Sequence, residues 1–360
     1  EHFVHSRTGL LDIFVMFWAL AAFGCLVVDR DVGRRRLARR SIAEFAGGRE
    51  QRASDSWCWW MGVRRWRIAA AVCLGLCVGT KWSGLYFALV FGLMIIFWDA
   101  GARRTVGLRH WFAGSVVWGA LSGLAMLLVA TATYLLSWTG WFLSTDGYGR
   151  NWARDNPDQG IGGLPPALRS LIHYHRQMWE FNINLGVPHR YEANPWSWIV
   201  MGRPTAFYYE SPQRGELGCT VDTCSQAITA LGNPVIWWGA TLGIVVLLFR
   251  WALHRDWRAG AVLAGLVAGY LPWFQYQQRT IFTFYTIAFT PWVVLALVYV
   301  LGLMLGRPHD SGKRRRDGAW IAGAVIMLAV LGFWFLLPIY TAQVIPYGDW
   351  HNRMLLPSWI

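Results

Sequence analysis

The sequence predicts an all-α protein that crosses a membrane several times, and three observations carry that prediction. Of the 360 residues, 55% are hydrophobic and only 15% charged, with 25 Trp, which is more apolar surface than a water-soluble core can hide. Apolar runs of helical length recur along the chain, several close to the 20 residues that span the ~30 Å hydrocarbon layer. The net charge of +13 comes from basic residues gathered in short clusters between those runs, not along one face, so nucleic acid is set aside as a partner.

In chain order the apolar runs are 9–28, 68–80, 82–98, 112–138, 234–249, 259–274, 287–305 and 320–337, eight candidate helices. Only Lys81 separates the second from the third, so these are either two helices meeting at Lys81-Trp82-Ser83-Gly84 or one long kinked helix. Topology decides between them. Residues 30–67 hold eleven Arg, 103–109 three, 250–258 three, and 307–316 one Lys and four Arg, together 22 of the 33 basic residues. With all four clusters cytoplasmic, the chain must cross twice between 67 and 103. The same parity puts 1–8, the Lys81 turn, 139–233, 275–286 and the tail from Pro338 onward on the outer face. The clusters themselves are read as orientation signals and nothing more. Glycine pairs at four-residue spacing, Gly75/Gly79, Gly119/Gly123, Gly239/Gly243, Gly265/Gly269 and Gly302/Gly306, predict close helix packing.

The cysteines fall into two classes. Cys25, Cys73 and Cys77 lie within spans and Cys58 in the inner loop, where reduced thiols are expected. Cys219 and Cys224 fall on the outer side, where oxidation is allowed, and are expected to form a disulfide that pins a hairpin. No second ligand pair has the spacing for a zinc site.

The 139–233 segment is too long for a connector and too aromatic for disorder, so it is expected to fold as a cap. Within it, Pro165-Pro166 opens a helical pattern with Leu168, Leu171, Ile172, His175, Met178 and Trp179 on one face and Arg169, His173, Arg176 and Glu180 on the other. Such a helix would lie along the membrane interface. His173 and His175 point to different sides, which argues against a shared metal. The aromatic and polar run from Pro188 to Glu210 suits either sugar stacking or headgroup contact.

An ionisable residue within or beside a span costs about 2.5 to 3.5 kcal/mol on insertion scales and is a functional candidate by default. Asp12 lies one turn into the first span, Arg7 just before it, Lys81 at the outer turn, and Arg279 after Gln277-Gln278 in an outer connection. Three cations at one membrane surface suit a lipid-linked phosphate. Asp12 is assigned a structural role.

At this point the residues resemble a family. His5-Ser6-Arg7-Thr8-Gly9-Leu10-Leu11-Asp12 is similar to the Ser-Arg-x-x-Leu-Leu-Asp segment of the protein O-mannosyltransferases, and Val78-Gly79-Thr80-Lys81-Trp82-Ser83-Gly84 to their Lys-Trp-x-Gly turn. Ser137-Trp138-Thr139-Gly140-Trp141-Phe142, His173-Tyr174-His175-Arg176, Asn194-Pro195-Trp196-Ser197-Trp198, Gln278-Arg279-Thr280-Ile281-Phe282-Thr283-Phe284-Tyr285 and the terminal Leu356-Pro357-Ser358-Trp359-Ile360 resemble the actinobacterial branch. The resemblance implies a C-type glycosyltransferase (GT-C) helix bundle with a large extracytoplasmic cap, in the cell membrane. It divides the chain into a catalytic membrane part (1–138), the cap loop (139–233) and a C-terminal four-span part (234–360). It implies transfer of mannose from polyprenyl-phosphate-mannose to Ser or Thr hydroxyls of exported proteins at the outer face, with no metal or other cofactor. Acceptor proteins and the export machinery would be the partners.

On that resemblance Arg7, Lys81 and Arg279 are assigned to the donor phosphate, and His173, His175, Gln278 and Tyr285 are candidates for substrate contact. The family carries a catalytic Asp-Glu pair in an outer loop before the Ser-Arg-x-x-Leu-Leu-Asp segment. A chain that opens Glu1-His2-Phe3 is expected to be the interior of a longer protein, inactive alone, with its base upstream. Two other readings fit the same residues: a polyprenyl-phosphate-sugar transferase acting on a glycan or lipid, and a lipid flippase or transporter.

Overall fold

In a computed structural model, which describes residues 1–46 and 61–360, the apolar runs fold as helices whose ends fall where the sequence supplies a cap or a turn. Cys58, Arg49 and Arg52 of the inner loop lie outside the described residues. After a short helix at His2–His5, helix α1 (Asp12–Ala46) starts on a carboxylate, the favoured charge at a helix N-terminus. Helices α2 (Arg65–Thr80) and α3 (Gly84–Thr105) are separate, joined by the Lys81 turn, and α4 (Trp111–Ser137) follows. In the cap, α5 (Pro166–Ile183) begins with proline at its first position, where the missing N–H is no loss.

The C-terminal half begins with α6 (Pro234–His254), capped by Asn233, whose side chain accepts from the backbone N–H groups of Val235 and Ile236. Asp256 caps α7 (Trp257–Tyr270) in the same way, and a 3-10 stretch, Leu271–Tyr276, prolongs it. A second 3-10 stretch, Thr283–Phe289, leads into α8 (Thr290–Leu305). Ser311 then caps α9 (Gly312–Tyr340).

Among the described residues six helical segments are long and apolar enough to cross a bilayer: Asp12–Ala43, Gly84–Thr105, Trp111–Ser137, Pro234–His254, Thr283–Leu305 and Gly312–Tyr340. The 16 residues of α2 rise about 24 Å and the 14 of α7 about 21 Å before its 3-10 extension. The chain is a multi-pass membrane protein whose membrane part is wholly helical. α1 packs on α2, α2 on α4, α3 on α4 and α7, α6 on α7 and α8, and α8 on α9. At the centre Trp292 is fully buried among the rings of Phe23, Phe87 and Phe91, with centroids 5.4 to 6.0 Å away.

Several glycines sit at these contacts. A Cβ on Gly75 would fall 2.6 Å from the Ala130 carbonyl oxygen and one on Gly79 3.0 Å from Ser137 Oγ, so α2 lies directly on α4. Gly265 and Gly269 meet Trp292 and Phe289 in the same manner. Two pairs read as packing signals depart from that role: Gly123 and Gly302 face open space, and Gly306 ends α8 with a φ of +77°, a conformation that favours glycine.

The cap carries a hairpin of β1 (Thr205–Glu210) and β2 (Cys224–Ala230), antiparallel, with β3 (Ile345–Pro346) of the tail on the other side of β2. A disulfide joins Cys219 to Cys224 between the two long strands. The tail is tied to the cap: Arg203 Nη1 donates to the carbonyls of Ser358 and Ile360 at 2.6 Å, and Trp359 Nε1 to that of Met201 at 2.7 Å. Residues 341–360 thus complete the cap begun at 139.

Three expectations need correction. The connection after 28 is not a loop from its start, because α1 continues to Ala46 through Arg residues that are good helix formers. Asp12 opens α1 and does not lie a turn inside it. The basic clusters also do more than orient the chain. Asp29 binds Arg64 Nε and Arg67 Nε, both at 2.9 Å, and Asp99 binds Arg67 Nη2 at 2.8 Å, all with side chains at most 11% exposed. Arg67 Nη1 reaches Ser122 Oγ at 3.0 Å, so the network ties α1, α3 and α4 to Arg64 and α2. Asp29 and Asp99 directly follow the apolar runs 9–28 and 82–98, where they stand among basic residues that read as orientation signals.

Candidate functional site

The Lys81 turn is shaped by its glycine. A Cβ on Gly84 would lie 2.8 Å from the Val78 backbone nitrogen, so only glycine lets α3 start this close to the end of α2. Lys81 caps α2 in extended conformation, and its Nζ reaches Asp12 Oδ1 at 2.8 Å. Asp12 is buried while the Lys81 side chain is 28% exposed. The ammonium also stands 4.2 Å from the centroid of the Tyr285 ring, which stacks on Trp273 at 4.6 Å. One of its three protons goes to Asp12, and two remain for another acceptor.

Tyr285 is within electrostatic reach of both Arg279 and Asp12. Arg279 Nη2 is 3.5 Å from Asn182 Oδ1 and its Nε is buried without an acceptor. No carboxylate pairs with it among the described residues. Lys81 and Arg279 thus share Tyr285 as a neighbour, the first by ring contact and the second by electrostatic reach, and Asp12 is the carboxylate paired with them among the described residues. Arg7 does not join them among the described contacts. Its guanidinium lies 3.8 Å from the Phe3 ring and donates to the Phe3 carbonyl at 2.8 Å and Ser6 Oγ at 3.0 Å. Gln278 is exposed beside Arg279, and its neighbour Gln277 accepts from Asn194 Nδ2 at 3.1 Å.

The two cap histidines part company. His173 stacks on Trp152 at 3.8 Å with nearly parallel rings. His175 enters a box of Trp82, Tyr134 and Trp138, with ring centroids 5.0 to 5.8 Å away. Its Nδ1 lies 2.7 Å from the Leu171 carbonyl and must donate to it, so Nε2 accepts from the Tyr134 hydroxyl. The Tyr134 oxygen in turn accepts from Trp82 Nε1 at 3.2 Å. Burial holds the His175 pKa below its ordinary value. This directed chain docks α5 onto the residue next to Lys81.

Along α5, Leu168, Ile172 and Trp179 stay exposed while Leu171 is buried, so the helix keeps an apolar strip for the membrane interface. Sequence reasoning missed the Trp82, Tyr134 and Trp138 box and the 2.8 Å contact between the Tyr86 and Tyr276 hydroxyls beside the Lys81 turn. Aromatic residues next to the motif positions were the available signal. Among the described residues no three His, Cys, Asp or Glu side chains converge as metal ligands would.

Comparison with known proteins places this geometry in a lineage. Residues 1–139 match the family described as dolichyl-phosphate-mannose-protein mannosyltransferase, and 167–359 match the C-terminal four TMM region of protein-O-mannosyltransferase. The polyprenol-phosphate-mannose–protein mannosyltransferase of Mycolicibacterium smegmatis is 37% identical over 99% of this chain and 69% of its own length. Those of Mycobacterium tuberculosis and Corynebacterium glutamicum are 37% and 30% identical, over 99% of this chain and 68% of theirs. The fold is similar to the Saccharomyces cerevisiae protein O-mannosyltransferase Pmt1-Pmt2 complex bound to the sugar donor, with a TM-score of 0.61 and 15% identity over 82% of this chain and 69% of that one. Two family matches that between them take in both ends of the bundle, and bacterial relatives aligned along nearly its whole length, lead to one conclusion: the chain belongs to the protein O-mannosyltransferase family.

Proposed function

We propose that the protein transfers mannose from polyprenyl-phosphate-mannose to Ser or Thr hydroxyls of exported polypeptides, at the outer face of the cell membrane. The observation that carries this reading is the Lys81 ammonium, 4.2 Å from the Tyr285 ring centroid and 2.8 Å from Asp12 with two protons to spare, and Arg279 lies within electrostatic reach of the same ring. The relatives' names supply the substrate class, and the surplus of basic residues at the opposite end of the bundle supplies the orientation.

In the reaction the acceptor oxygen forms a bond to the anomeric carbon as the bond from that carbon to the phosphate oxygen breaks, with inversion. The electron pair goes to the phosphate, and the hydroxyl proton goes to a carboxylate base. Lys81 Nζ, with two protons to spare, and the Arg279 guanidinium are assigned to the developing phosphate charge, a role that needs no metal in this reading. Asp12 holds and orients Lys81 and is not assigned as the base, because its Oδ1 is already engaged. Arg7, turned onto Phe3, would have to leave that ring to reach the phosphate. His175 is assigned to docking the cap over the Lys81 turn and His173 to the cap surface.

Membranes containing the intact protein test this. Arg279→Ala, and Lys81→Ala combined with Asp12→Asn so that no buried carboxylate is stranded, should each abolish mannose transfer from the lipid donor to a Ser-containing peptide while the protein still folds. Wild-type rates in both would overturn the assignment. Transfer to a glycan or lipid acceptor in place of the peptide would overturn the substrate class alone.

A further inference from the structure

At the arginine-rich end of the bundle, away from the Lys81 turn, α2, α3 and α4 enclose a cavity of about 240 Å³ with a charged floor and an apolar rim. It is smaller than the roughly 300 Å³ at which sites for drug-sized molecules begin, and it is large enough for a headgroup without its chains. Arg64, Arg67 and Arg103 line it, with Asp99 as the lining carboxylate. The carboxylates nearby are already engaged: Asp29 by Arg64 and Arg67, and Asp99 by Arg67 at 2.8 Å. Arg103 stands 3.8 Å from Asp99 and gives Nη1 to Ser115 Oγ at 3.0 Å.

Two donors in this lining have no acceptor among the described residues. Arg103 is 1% exposed and its Nε is unpartnered there, and so is the buried indole Nε1 of Trp118. Among the described residues, three guanidiniums against two carboxylates leave one positive charge uncompensated where water is scarce, an arrangement that is costly without an anion. The α1 backbone closes behind this cluster: a Cβ on Gly33 would fall 2.7 Å from Arg64 Nη2. The opening is therefore on the other side. There Ile68 and Leu121, 41% and 54% exposed, form the rim on the outward flanks of α2 and α4. The cavity opens sideways toward hydrocarbon, close to the level at which the basic residues meet headgroups.

We propose that this cavity binds one anionic glycerophospholipid, its phosphodiester on Arg103 Nε and Trp118 Nε1 and its acyl chains over Ile68 and Leu121. The charge balance selects an anionic lipid over a zwitterionic one, and the apolar rim selects a lipid over free phosphate. The site is separate from the transfer reaction and does not depend on it.

Native mass spectrometry of the full-length protein, delipidated and then offered phosphatidylglycerol, phosphatidylcholine or inorganic phosphate, tests the proposal. One phosphatidylglycerol per chain should be retained, with about a tenfold preference over phosphatidylcholine, the weight of one charge-assisted hydrogen bond. Millimolar phosphate should not displace it. Arg103→Gln should abolish the preference. Leu121→Trp, at an exposed position that plugs the rim, should lower retention in a folded protein and decides the matter where Arg103→Gln unfolds. Equal retention of the two lipids, displacement by phosphate, or unchanged retention in Leu121→Trp would overturn it.

Discussion

The two ends of the bundle both place charge against membrane-spanning helices, and they do so in opposite ways. At the arginine-rich end Asp29 and Asp99 are each held by at least one guanidinium at 2.8 to 2.9 Å, Asp29 by two, with side chains almost wholly buried. At the Lys81 end Asp12 meets a single amine, 28% exposed, and Arg279 pairs with no carboxylate among the described residues. The first arrangement links helices, and its one spare cation looks sideways toward lipid. The second leaves two cations with protons to offer on the side where the cap closes. Saturated pairs serve the fold, and unsaturated ones serve a substrate.

That contrast can be broken by exchanging what each end is asked to lose. Asp29→Asn removes a buried carboxylate shared by two guanidiniums and leaves both to Asp99, which should cost about 3 to 5 kcal/mol of stability, read as thermal unfolding in detergent. Arg279→Gln removes a cation without a carboxylate partner. It should leave stability within about 0.5 kcal/mol of wild type while transfer falls about 10²- to 10³-fold, the loss typical of one donor to a developing anion. If Arg279→Gln unfolded the protein as readily as Asp29→Asn, the two ends would not differ in kind.

Much of the fold was legible beforehand because a bilayer makes helices announce themselves. All eight apolar runs are helices, and the requirement for an even number of crossings between 67 and 103 separated α2 from α3 before any coordinates. Helix ends were less legible, since α1 runs on through arginines that favour a helix as readily as a solvated loop. Lys81 and Arg279 stood out because each opposes its surroundings, one at an outer turn and the other beside an aromatic run. Asp29 and Asp99 did not, because a carboxylate next to Arg30, or four residues before Arg103, at a span end looks like surface until its partners on other helices are known. The box around His175 was invisible for the same reason: Trp82, Tyr134 and Trp138 belong to three segments that meet only in the fold.

Smaller changes sharpen the Lys81 end. Gly84→Ala would press a Cβ to 2.8 Å from the Val78 nitrogen, and backbone on both sides leaves little room to relax. About 1 to 3 kcal/mol of destabilisation is expected, with transfer reduced in the folded fraction because Lys81 moves with the turn. Thermal unfolding and transfer should change together. A loss of stability with normal transfer would separate the turn's geometry from the chemistry.

The smallest effect belongs to His175, and its sign follows from the ring's surroundings. The imidazole faces only aromatic rings, a hydroxyl that donates to Nε2 and a carbonyl that takes the Nδ1 proton, so the folded state prefers it neutral. Burial lowers its pKa relative to the unfolded chain, where histidine titrates at about 6.5. Above that pH both states are neutral and the contact stabilises fully. As pH falls below it, the unfolded chain takes up a proton that the docked cap refuses, and stability declines. Protection of the α5 amides, taken relative to the intrinsic exchange rate at each pH, should therefore fall between pH 7.5 and 5.5 in the wild type. In His175→Gln it should be lower at pH 7.5, by the loss of about 1 kcal/mol of hydrogen bonding, and unchanged across the same interval. A wild-type cap equally protected at both pH values would mean that the ring carries its proton when docked, with Nε2 donating to the Tyr134 oxygen.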